Sequence, residues 1–167
     1  MAVPPSENAL GTRSILSTET LGADQIRKIL DTAFFFKKNW RKTPLKTPVA
    51  GKTIVLFFFE PSTRTRVSFE LAAKRLGANT VFLGNEGSSA GKGETLYDTA
   101  KTLQAMEPDV IVLRHPSAGS PHFLNQVLHV PVINAGDGFH EHPTQALLDA
   151  MTIEEFKGKI AGQKVLI

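Results

Sequence analysis

The 167-residue sequence contains no cysteine. That excludes a disulfide framework and any thiolate metal site, fits a reducing compartment, and leaves any catalysis to other groups. Long apolar runs are missing as well. Nothing approaches the roughly 18 to 20 consecutive apolar residues that span a bilayer, so no membrane partner is expected. The opening Met1-Ala2-Val3-Pro4-Pro5-Ser6 lacks the charged and apolar regions of a secretory signal. The expected location is the cytoplasm. Internal repeats, low-complexity tracts and nucleic-acid-binding signatures are also absent.

What charge there is lies unevenly. The net charge is +3; residues 1–50 hold eight Lys/Arg against four Asp/Glu, and residues 51–167 hold 11 against 12. The excess includes Lys37, Lys38, Arg41, Lys42 and Lys46, which follow the last turn of an expected helix. Cations there complement the helix dipole, so this is read as a solvated helix end and no nucleic-acid partner is assigned.

With 41% apolar residues the chain can fill one well-packed core. Residues 1–20 read as a polar, irregular arm. Leu21, Ile26, Ile29, Leu30, Ala33 and Phe34 recur at helical spacing, predicting a helix from about Ala23 to Trp40, after which Pro44 and Pro48 break the pattern. From Lys52 short apolar runs alternate with amphipathic segments, each passage marked by Gly, Pro, Ser or Thr. The runs Thr53 to Phe59, Thr80 to Leu83, Val110 to Leu113 and Val130 to Asn134 predict buried parallel strands. Helices are predicted over Thr63 to Leu76, Glu94 to Met106, Ser120 to Val127 and Pro143 to Phe156. The fold class is therefore α/β, a parallel sheet flanked by helices on both faces. Gln163-Lys164-Val165-Leu166-Ile167 reads as the opening of a further strand, so the chain is expected to be incomplete.

Ligands of open parallel sheets bind at the carboxyl ends of the strands. After the first strand come Glu60-Pro61-Ser62-Thr63-Arg64-Thr65-Arg66. Capping a helix needs one hydroxyl, yet this turn holds three, with two guanidiniums, where free N–H groups and the dipole point outward. Phosphate suits it better than water. Arg66, one step further round, is assigned to structural salt bridges. The second segment, Gly87-Ser88-Ser89-Ala90-Gly91-Lys92-Gly93-Glu94, offers Ser88 and Lys92 to an anion but does not have P-loop spacing; alone, it reads as a flexible loop. Third, Arg114-His115-Pro116 ends a strand facing the same crevice, where arginines also cap neighbouring helices. Fourth, Gly136-Asp137-Gly138-Phe139-His140-Glu141-His142-Pro143-Thr144-Gln145 runs from a strand end into a helix. Its two histidines invite a metal, but without cysteine or a carboxylate at ligand spacing no metal is assigned. A neutral His142 can donate to a carbonyl oxygen and Gln145 can accept from an amide; spacing alone leaves a helix-capping loop equally open.

Together these segments resemble the aspartate and ornithine carbamoyltransferase family. The resemblance runs from the first helix to Ile167, most specifically through Ser62-Thr63-Arg64-Thr65-Arg66, Arg114-His115-Pro116 and His142-Pro143-Thr144-Gln145. It implies that Ser62, Thr63, Arg64, Thr65 and Arg114 hold the phosphate of carbamoyl phosphate. It further implies that Thr65, Arg114 and His142 polarise the carbonyl, and that Gln145 receives the amide. Ser88 and Lys92 would reach into a neighbouring subunit's site, making Lys92 a catalytic group of a homotrimer with shared sites.

Lys92-Gly93-Glu94-Thr95-Leu96 and Glu60-Pro61 look like the family's aspartate branch, and an added cation suits an acidic acceptor while repelling ornithine's ammonium. The implied reaction transfers the carbamoyl group to the amino group of L-aspartate, with no cofactor, in pyrimidine biosynthesis. By the same resemblance residues 1–156, including a linking helix 143–156, form the carbamoyl-phosphate domain, and 157–167 open an aspartate-binding domain. The 167 residues alone would not turn over. Regulatory chains or a dihydroorotase-type partner are compatible with such a chain. An ornithine enzyme or a non-catalytic phosphate-binding module are the rival readings.

Overall fold

The computed structural model describes residues 10–41, 47, 49–84 and 94–166. Within them, helix α1 (Ala23–Asn39) precedes an alternation of β1 (Thr53–Phe58), α2 (Thr63–Arg75), β2 (Asn79–Gly84), α3 (Leu96–Ala105), β3 (Val110–His115), α4 (Ser120–Val127), β4 (Val132–Asp137) and α5 (Pro143–Lys157). The strands form one parallel sheet in the order β2-β1-β3-β4. Sequence order therefore runs one way from β1 and the opposite way from β3, which opens a crevice between the carboxyl ends of these two central strands.

Strand alternation sends side chains to two faces. Val55, Phe57, Ile111, Leu113 and Val132 pack with Ala100 and Leu103 of α3 and Leu124 of α4. Leu56, Phe58, Val112 and Ala135 form the opposite core against Phe69 of α2. Near-continuous apolar sequence in β1 and β3 follows from burial on both sides. Helix α1 lies against α5, where Arg27 pairs with Glu154 at 2.7 Å and Lys37 with Glu155 at 2.6 Å.

The sequence-based expectations need four corrections. The strand β2 is not buried: Val81 is 50% and Phe82 47% exposed, because β2 is an edge strand with a single pairing partner. The arm is less irregular than its composition suggests. Ile15 forms a parallel bridge to Ile133 on the outer edge of β4, its N–H reaching Val132 O at 3.0 Å and its carbonyl accepting from Asn134 N–H at 2.8 Å. The last strand begins and ends later than predicted, since a register irregularity between Leu113 and His115 lets Asp137 still pair. Finally, residues 163–166 form no strand, and Val165 and Leu166 are exposed and pair with no strand among the described residues. No helix among the described residues is long and apolar enough to cross a membrane.

Candidate active site

Helix α2 starts directly beyond β1, and its opening turn is unusually unsatisfied. Ser62 occupies the N-cap position in an extended conformation, but its side chain makes no cap hydrogen bond. Its hydroxyl instead donates to Thr65 Oγ1 at 2.9 Å. The first bond of the helix runs from Arg66 N–H to Ser62 O at 3.0 Å, which leaves the N–H groups of Thr63, Arg64 and Thr65 as its orphan donors. No acidic residue stands in this first turn, while Lys74 and Arg75 occupy the last. The free positive end of the dipole thus faces the crevice.

From β3, Arg114 enters the same crevice. Its Nη1 donates to Ala135 O at 3.2 Å and its Nη2 to Glu60 Oε1 at 3.3 Å. Its Nε is a buried donor with no partner among the described residues. The guanidinium can lie there because residue 136 is glycine: a Cβ at Gly136, whose φ is 118°, would come within 2.9 Å of Arg114 Nη1. Sequence inspection took Gly136 only as the start of the fourth segment and foresaw neither its role beside Arg114 nor the partner role of Glu60.

The third contribution comes through the turn between β4 and α5. Asp137 is fully buried and ties this turn together, its Oδ1 accepting from Glu141 N–H at 2.8 Å and its Oδ2 from Gly119 N–H at 2.8 Å. His142 follows as the N-cap residue, with Pro143 opening the helix and no side-chain cap bond. Burial, and then the charge of Arg114, push the His142 imidazole below its ordinary pKa, with Asp149 opposing. It is therefore neutral near pH 7 and retains an N–H to donate. Gln145 donates its amide N–H to Asp149 Oδ1 at 2.9 Å, which leaves its carbonyl oxygen as an acceptor. Asp149, one helical turn on, fixes that orientation; the i to i+4 spacing was the signal that could have revealed it.

Ser62, Arg64, Thr65, Arg114, His142 and Gln145 all line one cleft of about 690 Å³. Six of the predicted residues, drawn from three separate strand ends, thus converge. Thr63 does not: its side chain faces an adjoining hollow of about 470 Å³ beside Phe59 and Phe82. Ser88 and Lys92 lie outside the described residues. Arg66 makes no salt bridge among the described residues and stacks over Phe82 at 4.6 Å, because the edge strand leaves that ring open. His115 packs against Phe59, accepts from Ser117 N–H at 3.0 Å, and is pushed down in pKa by burial; it supports the turn. His140 and His142 diverge, His142 lining the cleft and His140 bonding Asp137 Oδ2 at 3.0 Å.

A cleft with two guanidiniums, clustered hydroxyls, free helix N–H groups, a neutral imidazole and an amide acceptor can hold a small anion and polarise a carbonyl joined to it. Comparison with known proteins points to the same chemistry. The aspartate carbamoyltransferase catalytic subunit of Desulfosudis oleivorans is 54% identical over 159 residues, covering 95% of this chain and 51% of its own length. That of Opitutus terrae is 51% identical, covering 93% and 50%. The catalytic subunit of M. jannaschii aspartate transcarbamoylase superimposes with a TM-score of 0.81 at 43% identity over 89% of this chain and 48% of its own. The Trypanosoma cruzi aspartate transcarbamoylase, in complex with carbamoyl aspartate and phosphate, superimposes with a TM-score of 0.87 at 38% identity, covering 96% and 49%. The chain spans about half the length of the curated relatives it matches. Residues 13–155 match the family described as aspartate/ornithine carbamoyltransferase, carbamoyl-P binding domain, and the chain belongs to that family.

Proposed function

We propose that this chain binds carbamoyl phosphate and forms that half of an aspartate carbamoyltransferase of pyrimidine biosynthesis. One observation carries the reading: the α2 N-terminus, Arg114 and His142 converge on a single cleft while Ser62 leaves the helix end open. In this reading Ser62, Arg64, Thr65 and Arg114 hold the phosphate, joined by the backbone N–H of Thr63. Thr65, Arg114 and His142 polarise the carbonyl oxygen, and Gln145 accepts from the carbamoyl NH2. Ligand phosphate takes over the place of Glu60 at Arg114.

The uncharged amino group of L-aspartate then attacks the carbamoyl carbon, the C–O bond to phosphate breaks, and phosphate accepts the proton. No covalent enzyme intermediate is needed. The protein's contribution is electrostatic, and losing a single donor of this kind typically costs about 100- to 1000-fold in rate. His142, neutral in its burial, acts as a donor and not as a base.

Residues 1–156 make up the carbamoyl-phosphate domain, with the helix from residue 143 leading into the opening segment of an aspartate-binding domain at 157–167. A cytoplasmic homotrimer is the proposed assembly, in which Ser88 and Lys92 serve a neighbour's cleft. The apolar exposure of Val67, Leu71, Val81 and Phe82 around the β2 edge supports a subunit contact there. Calorimetric titration of carbamoyl phosphate into the chain tests the binding; absence of heat, or binding unchanged by Arg64→Ala, would sink it. For the acceptor, a catalytic chain of the relatives' length carrying these residues is offered L-aspartate and L-ornithine in turn. N-carbamoyl-L-aspartate is the expected product, and carbamoylation of ornithine instead would overturn the assignment.

A further inference from the structure

The histidine that the cleft does not use lies in a second cluster. His140 turns away from His142 and meets two groups from elsewhere in the fold: Asp137, at the end of β4, and His122, in the first turn of α4. One side-chain ligand atom from each of the three lies within 4.8 Å of the others. His140 Nδ1 is 3.0 Å from Asp137 Oδ2, and the two imidazoles meet edge-on at 5.9 Å between ring centres. Phe139, alongside, is fully exposed, so the cluster sits at the surface while its carboxylate is buried.

The carboxylate needs explaining. Asp137 has no exposed surface, and burial pushes its pKa up, but donors from Gly119, Asn134, His140 and Glu141 outweigh burial and keep the group ionised. Three of those four donors are neutral. Among the described residues no lysine or arginine reaches it, and the ionisable side chain in contact with it is His140, at 3.0 Å. A buried negative charge is strongly favoured to have a cationic partner, and His140 is half-exposed with an ordinary aqueous alternative. The approach of His122 is not explained by that pair at all. A second imidazole beside the first adds nothing to that hydrogen bond.

We propose that His122, Asp137 and His140 bind a divalent transition-metal ion, zinc foremost. Two imidazole nitrogens and one carboxylate oxygen are the donor set of three-ligand zinc sites, which complete their tetrahedron with water. The ion replaces the proton between His140 and Asp137. Ligand atoms of a tetrahedral zinc site lie roughly 3.4 Å apart. The His140–Asp137 separation of 3.0 Å is already near that value, and the half-buried His122, within 4.8 Å of both, would close the rest by a side-chain adjustment.

The site shares no side chain with the cleft. It ties α4 to the turn that ends two residues later in His142, so its consequence is to stiffen the segment that presents that imidazole. This follows whether or not the cleft takes carbamoyl phosphate.

Untagged protein titrated with Co2+ and followed by visible absorption is the test, with Zn2+ as competitor. One equivalent should give the ligand-field bands of low-symmetry cobalt, and zinc should abolish them. His122→Asn and His140→Asn should each weaken binding by at least about tenfold, since even groups behind a metal's ligands cost 10- to 100-fold when removed. Without metal, His122→Asn should melt with the parent and His140→Asn somewhat lower, because Asp137 loses a donor; zinc should raise only the parent's melting temperature. His142→Asn should leave cobalt binding unchanged. The proposal fails if no one-equivalent binding is seen, if binding survives either of the first two substitutions, or if His142→Asn abolishes it, which would locate the ion on the adjacent pair His140 and His142.

Discussion

Helices α2 and α3 both follow a strand of the same sheet, yet they begin in opposite ways. Helix α3 is closed upon itself: Thr95 Oγ1 accepts from Asp98 N–H at 3.1 Å and donates to Asp98 Oδ2 at 2.6 Å, and Asp98 supplies negative charge to the first turn. Helix α2 has the same kind of residue at its cap and three hydroxyls where one would do, but no cap bond and no acid. Hydroxyl content alone therefore does not distinguish a structural start from a binding one. What distinguishes them is whether the local sequence supplies its own anion. At α3 it does; at α2 the anion must come from outside, and two arginines stand ready for it.

The strongest way to break this contrast is Arg64→Ala. Arg64 is exposed and makes no side-chain hydrogen bond or ion pair among the described residues, so its removal should leave the melting temperature within error. Carbamoyl phosphate binding should weaken by at least about 100-fold, from losing a charged donor pair worth roughly 1.5–3 kcal/mol per bond. Equal loss of stability and binding would show that Arg64 braces the helix and does not wait for a ligand.

Next in size is Gly136→Ala. The left-handed φ of 118° and the 2.9 Å approach to Arg114 Nη1 oppose any side chain there. Strain of this sort costs on the order of 1–3 kcal/mol, and displacement of Arg114 should weaken phosphate binding as well. Denaturant unfolding and calorimetry on the same sample separate the two effects. Unchanged ligand affinity in a destabilised variant would mean that Arg114 is not part of the anion cradle.

A paired substitution sharpens the comparison directly. Thr95→Ala removes a working cap and should lower stability by about 1 kcal/mol without touching the ligand. Ser62→Ala removes a hydroxyl that caps nothing, so stability should hold within about 0.5 kcal/mol while binding falls several-fold. If both lose stability alike, the open end of α2 is a fiction.

These contrasts also show where sequence is readable. That Ser62, Arg64 and Thr65 share one cleft was legible because the hydroxyl and guanidinium density after β1 exceeds what capping requires; for Arg114, His142 and Gln145 the strand-end rule gave only the place to look, and their expected roles came from the family resemblance. The partner of each group was not legible. That Ser62 bonds Thr65 and not a backbone N–H depends on a rotamer, and that Glu60 reaches Arg114 depends on β1 lying beside β3, 54 residues apart in sequence. The edge position of β2 follows from strand order, which local periodicity does not encode, so Val81 and Phe82 read as core. Ile15 misled for the converse reason: a single apolar residue in a polar arm carries no period, yet it finds the free edge of β4. His122 and His140 are 18 positions apart and become neighbours only because α4 and the β4 turn meet.

The smallest expected effect is on pH dependence, and it tests whether His142 is held neutral. Burial, aided by Arg114, lowers the pKa of His142, and burial lowers that of His115. Both folded values therefore lie below the unfolded value of about 6.5. In that window the unfolded chain binds more protons than the folded one, so stability is full above about pH 6.5 and is lost as pH falls through the folded pKa values. Melting temperatures should drop between about pH 7.5 and pH 5.5, before the carboxylates titrate. His142→Asn should remove part of that slope and leave the share due to His115. Bound phosphate, by offsetting the charge of Arg114, should raise the His142 pKa and flatten the slope too. A slope indifferent to both changes would mean that His142 is solvated like an ordinary surface histidine, and that burial in the cleft does not hold it neutral.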